Sequence, residues 1–234
     1  MKKYLILILA MVFIVGCEPI EIPQPPGQSQ DVQDPNPESI SVANWNLQIF
    51  GDSKASDDEL LFKYVNEMDD YDVIFIQEIR DKDGSAPTKL CNLMQAKGYT
   101  CYFSSRAGRS SSKEQYGLFY RPYISLINSK DYNPDELDRW ERPPLMVAFD
   151  YEGELIEFYN IHIKPDDVQQ ELMYLDEMID PSTSTIILGD LNADCNYYNP
   201  LVETEFDDWA WEISNYEDTT VGNTDCAYDR IIVS

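Results

Sequence analysis

The stretch "DVIFIQE" at residues 72–78 is almost wholly apolar and is bounded by acidic residues. Side chains alternate between the two faces of a strand, so such a run predicts a strand that is covered on both faces. Helical patterns lie on either side: residues 56–71, with Ser56 as the N-cap, and a second helix from Pro87 in its first turn to a C-terminal cap at Gly98. A covered strand between helices is typical of a layered α/β protein.

The middle of the chain has a different pattern. "YGLFYRP", "YISLIN" and "LMVAFDYEGELIEFYNIHI" predict strands with a turn at Glu152 and Gly153, so hairpins replace helices there. A last helix begins after Pro165 and precedes the strand "STIILGD"; its apolar positions are Val168, Leu172, Leu175 and Ile179. Two stretches of strand and helix around a run of hairpins predict packed sheets with helices outside, an α/β architecture.

The beginning of the chain predicts export. Residues 1–17 combine a short basic start with an apolar run from Tyr4 to Val15 that is too short to span a bilayer, which is typical of a signal peptide. The ending "IVGC" resembles a bacterial lipobox, so Cys17 is predicted to carry a lipid; simple secretion is the alternative. Residues 18–39 are rich in proline and predict a disordered tether, and residues 40–234 form the folded domain.

The charge balance limits the partners of this chain. It has 43 acidic and 17 basic residues, for a net charge of -26. A protein that binds a phosphate backbone mainly through Lys and Arg shows the opposite balance. A polyanionic substrate would therefore require metal ions or a local basic patch to offset the repulsion.

The cysteines also favour an exported protein. Taking Cys17 as the lipid site leaves an even set: Cys91, Cys101, Cys195 and Cys226. Outside the cytoplasm such a set predicts up to two disulfides, and the sequence alone permits three pairings.

Polar side chains follow the apolar strands at several points. These residues are Asn46, Glu78, His162, Asp190, Asn192 and Asp229, and His162 is the only histidine of the chain. Carboxylate and amide oxygens are hard ligands that suit Mg²⁺, Mn²⁺ or Ca²⁺. A carboxylate can also orient an imidazole and favour its protonated form. Together these groups suit the hydrolysis of a phosphate ester, which needs a cation for the phosphoryl oxygens and an acid for the leaving oxygen.

Six stretches resemble, in the same order, motifs of the deoxyribonuclease I-like proteins in the endonuclease/exonuclease/phosphatase superfamily: "ANWNLQIFG", "YDVIFIQEIRD", "KEQYGLFYRP", "IHIKP", "GDLNADC" and "CAYDRIIVS". The resemblance covers residues 40–234. "GDLN" alone is a weak signal, but "QEIRD" together with "GDLNADC" and "CAYDR" is specific to the nuclease branch. The resemblance implies a four-layer α/β/β/α sandwich with its site at the top of the two central sheets.

The resemblance also implies roles for the strand-end residues. Asn46 and Glu78 are similar to ligands of the catalytic divalent metal, and Glu78 also resembles the carboxylate that orients a catalytic histidine. His162 resembles that histidine, the general acid of the family.

The "GDLN" and "YDR" motifs imply further roles. Asp190 and Asn192 are similar to residues that hold the scissile phosphate and a second metal. Asp229 resembles the carboxylate that positions another catalytic histidine.

Further positions match those that contact DNA or stabilise the fold in this family. The expected DNA contacts are Arg80, Tyr116 and Arg142. The pair Cys195 and Cys226 matches a disulfide of the family, whereas Cys91 and Cys101 are either a second bridge or two buried thiols. The loop "EDTTVGNTD" resembles a structural Ca²⁺ site, with ligands at Asp218, Thr220 and Thr224. An acidic surface loop without an ion is the alternative for this segment.

The resemblance departs from the family pattern after "YDRIIVS". Family members continue into a closing segment with a Ser-Asp-His motif, which provides a further metal-binding Asp and the second catalytic His. The sequence given stops at Ser234, so the sandwich is expected to be incomplete at its C-terminus. Three explanations stand: a truncated sequence, an inactive relative, or a site that a partner completes.

Taken together, the resemblance implies an exported, monomeric endonuclease that hydrolyses DNA phosphodiester bonds with Mg²⁺ or Mn²⁺ and uses Ca²⁺ structurally. It would be anchored to a membrane through Cys17 or secreted. One alternative is a phosphodiesterase or phosphatase acting on lipid or small-molecule substrates. Another is a non-catalytic surface lipoprotein that binds nucleic acid.

Overall fold

The computed structural model describes residues 39–199 and 205–234. The predicted signal peptide, the lipid site at Cys17 and all of the predicted tether except Ser39 lie outside the described residues. Among the helices in the described ranges, none combines the length and the apolar character that crossing a bilayer requires.

The first of two sheets contains β1 (Val42–Phe50), β2 (Val73–Ile79), β3 (Thr100–Phe103) and β4 (Gln115–Tyr120). Its strand order is β1-β2-β4-β3. β1 and β2 run parallel, and β4 runs antiparallel to both of its neighbours. The end of β2 therefore lies beside the start of β4.

The second sheet contains β5 (Ser125–Asp131), β6 (Leu145–Tyr151), β7 (Glu154–Asn160), β8 (Ser184–Asp190), β9 (Ala210–Trp211) and β10 (Asp229–Val233). Its order is β5-β6-β7-β8-β10-β9. β7 and β8 run parallel, and the other neighbouring pairs are antiparallel. The end of β8 therefore lies beside the start of β10, with Asp190 opposite Asp229.

Helices cover the outer faces of the two sheets. They are α1 (Asp52–Ala55), α2 (Asp58–Met68) and α3 (Ser85–Ala96) on the first sheet, and α4 (Val168–Met178) on the second. One apolar cluster lies under each helical layer, and a third lies between the sheets. The predicted α/β/β/α sandwich is confirmed.

The strand with the almost wholly apolar sequence is β2, and it is covered on both faces as predicted. Ile74 and Ile76 pack towards the helices, whereas Val73 and Phe75 pack towards the second sheet. Phe75 stacks on Phe158 of β7 with ring centroids 5.3 Å apart. Each sheet thus buries one apolar face against the other.

The start of α2 differs by one residue from the prediction. Asp57, and not Ser56, is the N-cap, and its carboxylate accepts a hydrogen bond of 3.0 Å from the Leu60 amide. Ser56 instead donates its hydroxyl to the Ser53 carbonyl. Either residue type can cap a helix, but Ser56 is already the C-cap of α1.

Two disulfides are present in the described part of the chain. Cys195 and Cys226 are joined, as the resemblance implied, and they connect the segments after β8 and before β10. Cys91 and Cys101 are joined as well, which ties α3 to β3. The pairing left open by the sequence is therefore a second bridge.

The two bridges are expected to differ in their contribution to stability. The Cys195–Cys226 bridge spans a sequence separation of 31, and the Cys91–Cys101 bridge spans 10. A longer loop constrains the unfolded chain more, which gives about 3.7 kcal/mol for the first and about 2.7 kcal/mol for the second in the chain-entropy model. Urea unfolding of the two paired Cys→Ser variants measures the losses, and a larger loss for Cys91–Cys101 would contradict this order.

Candidate active site

The strand-end residues predicted from the sequence meet at one edge of the sandwich. β1 keeps its regular pairing with β2 up to Asn46, Glu78 is the penultimate residue of β2, and β8 ends with Asp190. Asp229 arrives from the start of β10, and His162 lies just beyond the end of β7. The two sheets therefore each contribute polar side chains to a common site.

Asn46 connects the two sheets at the centre of this site. Its Nδ2 donates hydrogen bonds of 3.1 Å to Glu78 Oε1 and 2.8 Å to Asp190 Oδ2. Its Oδ1 accepts from the Gln48 amide at 2.8 Å. Two carboxylates from different sheets thus converge on a single amide group.

The ring of His162 is held by Glu114, which lies immediately before β4. His162 Nδ1 lies 3.3 Å from Glu114 Oε2, and both side chains are buried. The structure corrects the expectation that Glu78 orients this ring: Glu78 has a carboxylate oxygen within 4.8 Å of this pair, but its hydrogen bonds go to Asn46 and Ile49. On the opposite side of the ring, Nε2 lies 3.8 Å from Asp190 Oδ2.

Glu114 was missed because it precedes a strand instead of following one. β4 runs antiparallel to β2, so its first residues lie at the edge where β2 ends. The signal was present in "KEQYGLFY", where a single acid stands before an apolar strand.

The charge of Glu114 is compensated inside the protein. Arg142 Nη1 lies 2.9 Å from Glu114 Oε1, and Arg80 Nε lies 3.9 Å from Oε2. Burial alone would raise the pKa of Glu114, but the hydrogen bond and charge of His162 and the charges of Arg142 and Arg80 together hold it below its ordinary value. Glu114 is therefore an ionised partner for the imidazole.

Tyr116 was expected to contact DNA, but the structure buries it. It lies inside β4 with 2% of its surface exposed, and its hydroxyl accepts from the His162 amide at 3.1 Å and donates to the Arg142 carbonyl at 3.1 Å. Arg142 Nε in turn donates to the His162 carbonyl at 2.7 Å. Tyr116 and Arg142 therefore fix the backbone on both sides of His162.

Arg80 is the more accessible of the two predicted arginines. It contacts Glu78 Oε2 at 3.2 Å through Nη2 and Ser112 Oγ at 3.3 Å through Nη1, and 29% of its side chain is exposed, against 12% for Arg142. Its partly exposed guanidinium lies beside the site.

The backbone of the "GDLN" segment packs closely on the strand that leads to His162. Gly189 has φ +148, and a Cβ there would lie 1.8 Å from the Ile161 carbonyl oxygen, so only glycine fits. Asn192 lies in the left-handed region at φ 49, with its Nδ2 donating to the Ile163 carbonyl at 2.9 Å. These contacts hold Asp190 against the histidine.

Asp229 lies opposite Asp190 across the β8–β10 ladder. Its carboxylate accepts from Asn44 Nδ2 at 3.2 Å, and its amide donates to Thr219 Oγ1 at 3.0 Å. The expected second histidine cannot be a neighbour within this sequence, because His162 is its only histidine. Burial and the neighbouring Asp190 raise the pKa of Asp229.

The loop expected to bind Ca²⁺ brings its three predicted ligands together. The Thr220 amide and hydroxyl donate to Asp218 Oδ1 at 2.9 and 2.7 Å. The Thr220 hydroxyl also lies against the Thr224 carbonyl. One carboxylate, two hydroxyls and carbonyl groups are oxygen ligands that suit Ca²⁺, although the loop provides only one negative charge among the three.

The residues at the centre of the site fit a divalent cation. Glu78 Oε1 and Asp190 Oδ2 both lie within hydrogen-bond distance of Asn46 Nδ2, so two carboxylate oxygens from different sheets face one point. Such an oxygen set suits Mg²⁺ or Mn²⁺. A neighbouring group of ligand atoms, on Glu78, Glu114 and His162, is a poorer cation site because Arg142 and the imidazole already compensate Glu114.

The protein is an α/β/β/α sandwich with carboxylates and one histidine gathered at one edge. Residues 43–234 match the Endonuclease/Exonuclease/phosphatase family. Deoxyribonuclease-1-like 2 of Mus musculus is 33% identical over 214 residues, which cover 84% of this chain and 77% of that protein. The chain belongs to this family.

Other comparisons agree with this assignment. Deoxyribonuclease-1 of Homo sapiens is 34% identical over 218 residues, which cover 84% of this chain and 77% of that protein. The solved structure of an endonuclease/exonuclease/phosphatase family protein from Leptotrichia buccalis C-1013-b has a TM-score of 0.58 at 15% identity, and the match covers 82% of this chain and 86% of that one. The last similarity is one of fold.

Glu171 on α4 is a buried carboxylate behind the site that sequence reasoning did not select. Its oxygens accept from the Glu141 amide at 2.7 Å and the Lys164 amide at 3.3 Å, and its carbonyl accepts from Trp140 Nε1 at 3.0 Å. It thus ties together the segments that carry Arg142 and His162. Burial raises its pKa to about 7.

This shift predicts a pH-dependent stability. As pH rises from the unfolded value near 4.5 towards 7, the unfolded chain releases the Glu171 proton while the folded chain retains it, so the free energy of unfolding falls. Between pH 5 and pH 8 the wild type should lose about 2 to 3 kcal/mol more than Glu171→Gln, which does not titrate. Urea unfolding at both pH values measures the difference, and identical pH dependence in the two proteins would contradict it.

Proposed function

We propose that this protein is a divalent-metal-dependent endonuclease that hydrolyses phosphodiester bonds in DNA. Membership of the family supports a hydrolase of the nuclease and phosphodiesterase class. The assignment to DNA draws on the relatives named as deoxyribonucleases. It also draws on one observation: His162 is paired with Glu114 and faces Asp190, beside the carboxylate of Glu78 and the amide of Asn46.

Asn46, Glu78 and Asp190 would hold the divalent ion, with Asn192 on the adjoining loop. When bound, Mg²⁺ or Mn²⁺ would supply positive charge to the phosphoryl oxygens of the substrate. The protein's own contribution is the alignment of these oxygens, which Asn46 links across the two sheets. The loop of Asp218, Thr220 and Thr224 would hold a structural Ca²⁺.

His162 would act as the general acid. Its Nδ1 is engaged by Glu114, which fixes the orientation of the ring. Nε2 lies on the side of Asp190, so it can give a proton to the departing 3'-oxygen as the P–O3' bond breaks. The attacking water forms the new P–O bond and releases its own proton to solvent. Burial of the pair strengthens its electrostatic coupling.

Binding of DNA would depend on a local reversal of the overall charge. Arg80 and Arg142 lie at the site of a chain whose net charge is -26. Arg80 is the exposed candidate for a phosphate contact, whereas Arg142 acts mainly by holding His162 and Glu114. A divalent ion would offset further repulsion by Asp190 and Asp229.

The proposed location is outside the cytoplasm, with attachment through a lipid on Cys17 or secretion without it, and action as a monomer. The two disulfides support an oxidising compartment. The basic start, apolar run and "IVGC" ending support export.

Nicking of supercoiled plasmid tests the proposal. The wild type should nick in Mg²⁺ or Mn²⁺ and stop after chelation with EDTA, and His162→Ala should be slower by about 10²- to 10⁴-fold because it removes the proton donor. Lys63→Ala, on the exposed face of α2, is the control and should nick like the wild type.

The outcome of this experiment separates the alternatives. Hydrolysis of a synthetic phosphodiester or a lipid with the plasmid left intact would replace the DNA claim with another phosphoesterase activity. Binding of DNA without hydrolysis of any of these substrates would contradict an enzymatic role for this chain.

A further inference from the structure

Three side-chain amides form a hydrogen-bonded layer between the two sheets. Gln77 Nε2 donates to Asn44 Oδ1 at 2.6 Å and to Asn160 Oδ1 at 2.6 Å. Gln77 and Asn160 are completely buried, and Asn44 is half-buried. Gln77 and Asn44 belong to the first sheet and Asn160 to the second, so this amide layer is a polar connection across the sandwich.

The amide layer lies directly beneath the site. Asn44 comes two residues before Asn46 on β1, which places both on one face of that strand. Asn160 is the last residue of β7 and comes two residues before His162. Gln77 immediately precedes Glu78. Asn44 also donates to Asp229, so the layer contacts the site through a carboxylate as well.

On its other side the amide layer meets the apolar interface between the sheets. Phe75 and Phe158, which stack there, come two residues before Gln77 and Asn160. Apolar contacts are non-directional and tolerate small displacements of one sheet against the other. Hydrogen bonds lose strength with distance and angle, so the amides restrict those displacements.

The arrangement is not the one that stability alone would favour. Gln77 Oε1 is buried without a hydrogen-bond partner among the described residues, and a buried unpaired carbonyl is destabilising. Apolar side chains at all three positions would continue the phenylalanine interface without that cost. The retained amide needs a reason beyond packing, and its position beneath the site supplies one.

We propose that Asn44, Gln77 and Asn160 are positioning residues that align the two halves of the site. They set Asn46 and Glu78 of the first sheet against His162 and Asp190 of the second. The inference rests on the proposed hydrolytic function, since alignment matters for activity only if the two halves act on one substrate.

The kinetic test uses Gln77→Met, which keeps the side-chain length and removes the amide. The kcat for plasmid nicking should fall by about 10- to 100-fold, as expected for misplaced reacting groups, while KM stays within about twofold because the amide layer does not touch substrate. Phe75→Leu is the matched control, two residues earlier on the same strand, and should lower Tm without lowering kcat. The exchange Gln77→Asn with Asn160→Gln keeps both amides and should restore part of the lost kcat.

A spectroscopic test does not require activity. His162 is the only histidine, so histidine-labelled protein gives one imidazole signal in a ¹H–¹³C spectrum. Gln77→Met should shift this signal and Phe75→Leu should not; if Gln77→Met fails to fold, Asn44→Ser at a half-buried position replaces it.

A wild type that does not nick DNA would contradict the proposed function and leave the spectrum to decide the inference. Unchanged kcat in an active protein, or an unmoved His162 signal in an inactive one, would overturn the amide layer's role.

Discussion

The site depends on a carboxamide that holds two carboxylates from different sheets. Glu78 and Asp190 carry like charges, and their approach is unfavourable unless a donor or a cation lies between them. Asn46 provides that donor, with Arg80 on the other oxygen of Glu78 and the imidazole of His162 near the same oxygen of Asp190. The sandwich fold makes this possible because both sheets end at the same edge.

Two neighbouring clusters of acids at this edge have different electrostatic surroundings. Glu114 lies in a buried group with His162 and Arg142, where its charge is compensated and its pKa is lowered despite burial. Asp229 lies in a group where burial and Asp190 raise its pKa. The first group suits the handling of a proton, and the second, with an excess of negative charge, suits a bound cation.

Much of this arrangement follows from the sequence, because an apolar strand delivers the next polar residue to a predictable edge. That rule predicts that Asn46, Glu78 and Asp190 meet at one edge. It failed for Glu114, which is delivered by the start of an antiparallel strand, and a motif match misjudged Tyr116, whose ring is buried inside β4. The amide layer and Glu171 lie inside elements, where a polar residue has no local pattern to distinguish it from an exposed one. Their roles depend on packing between distant segments.

The location of a bound Mn²⁺ tests most directly whether the cation lies apart from the Glu114–His162 pair. Anomalous diffraction from crystals soaked in Mn²⁺ should show a peak between Glu78 and Asp190, beside Asn46, with Glu114 remaining on His162. That result would place the cation beside Asp190, where negative charge is in excess, and leave the Glu114–His162 pair intact. A peak between Glu114 and His162, with the Glu78–Asp190 position unoccupied, would contradict the account.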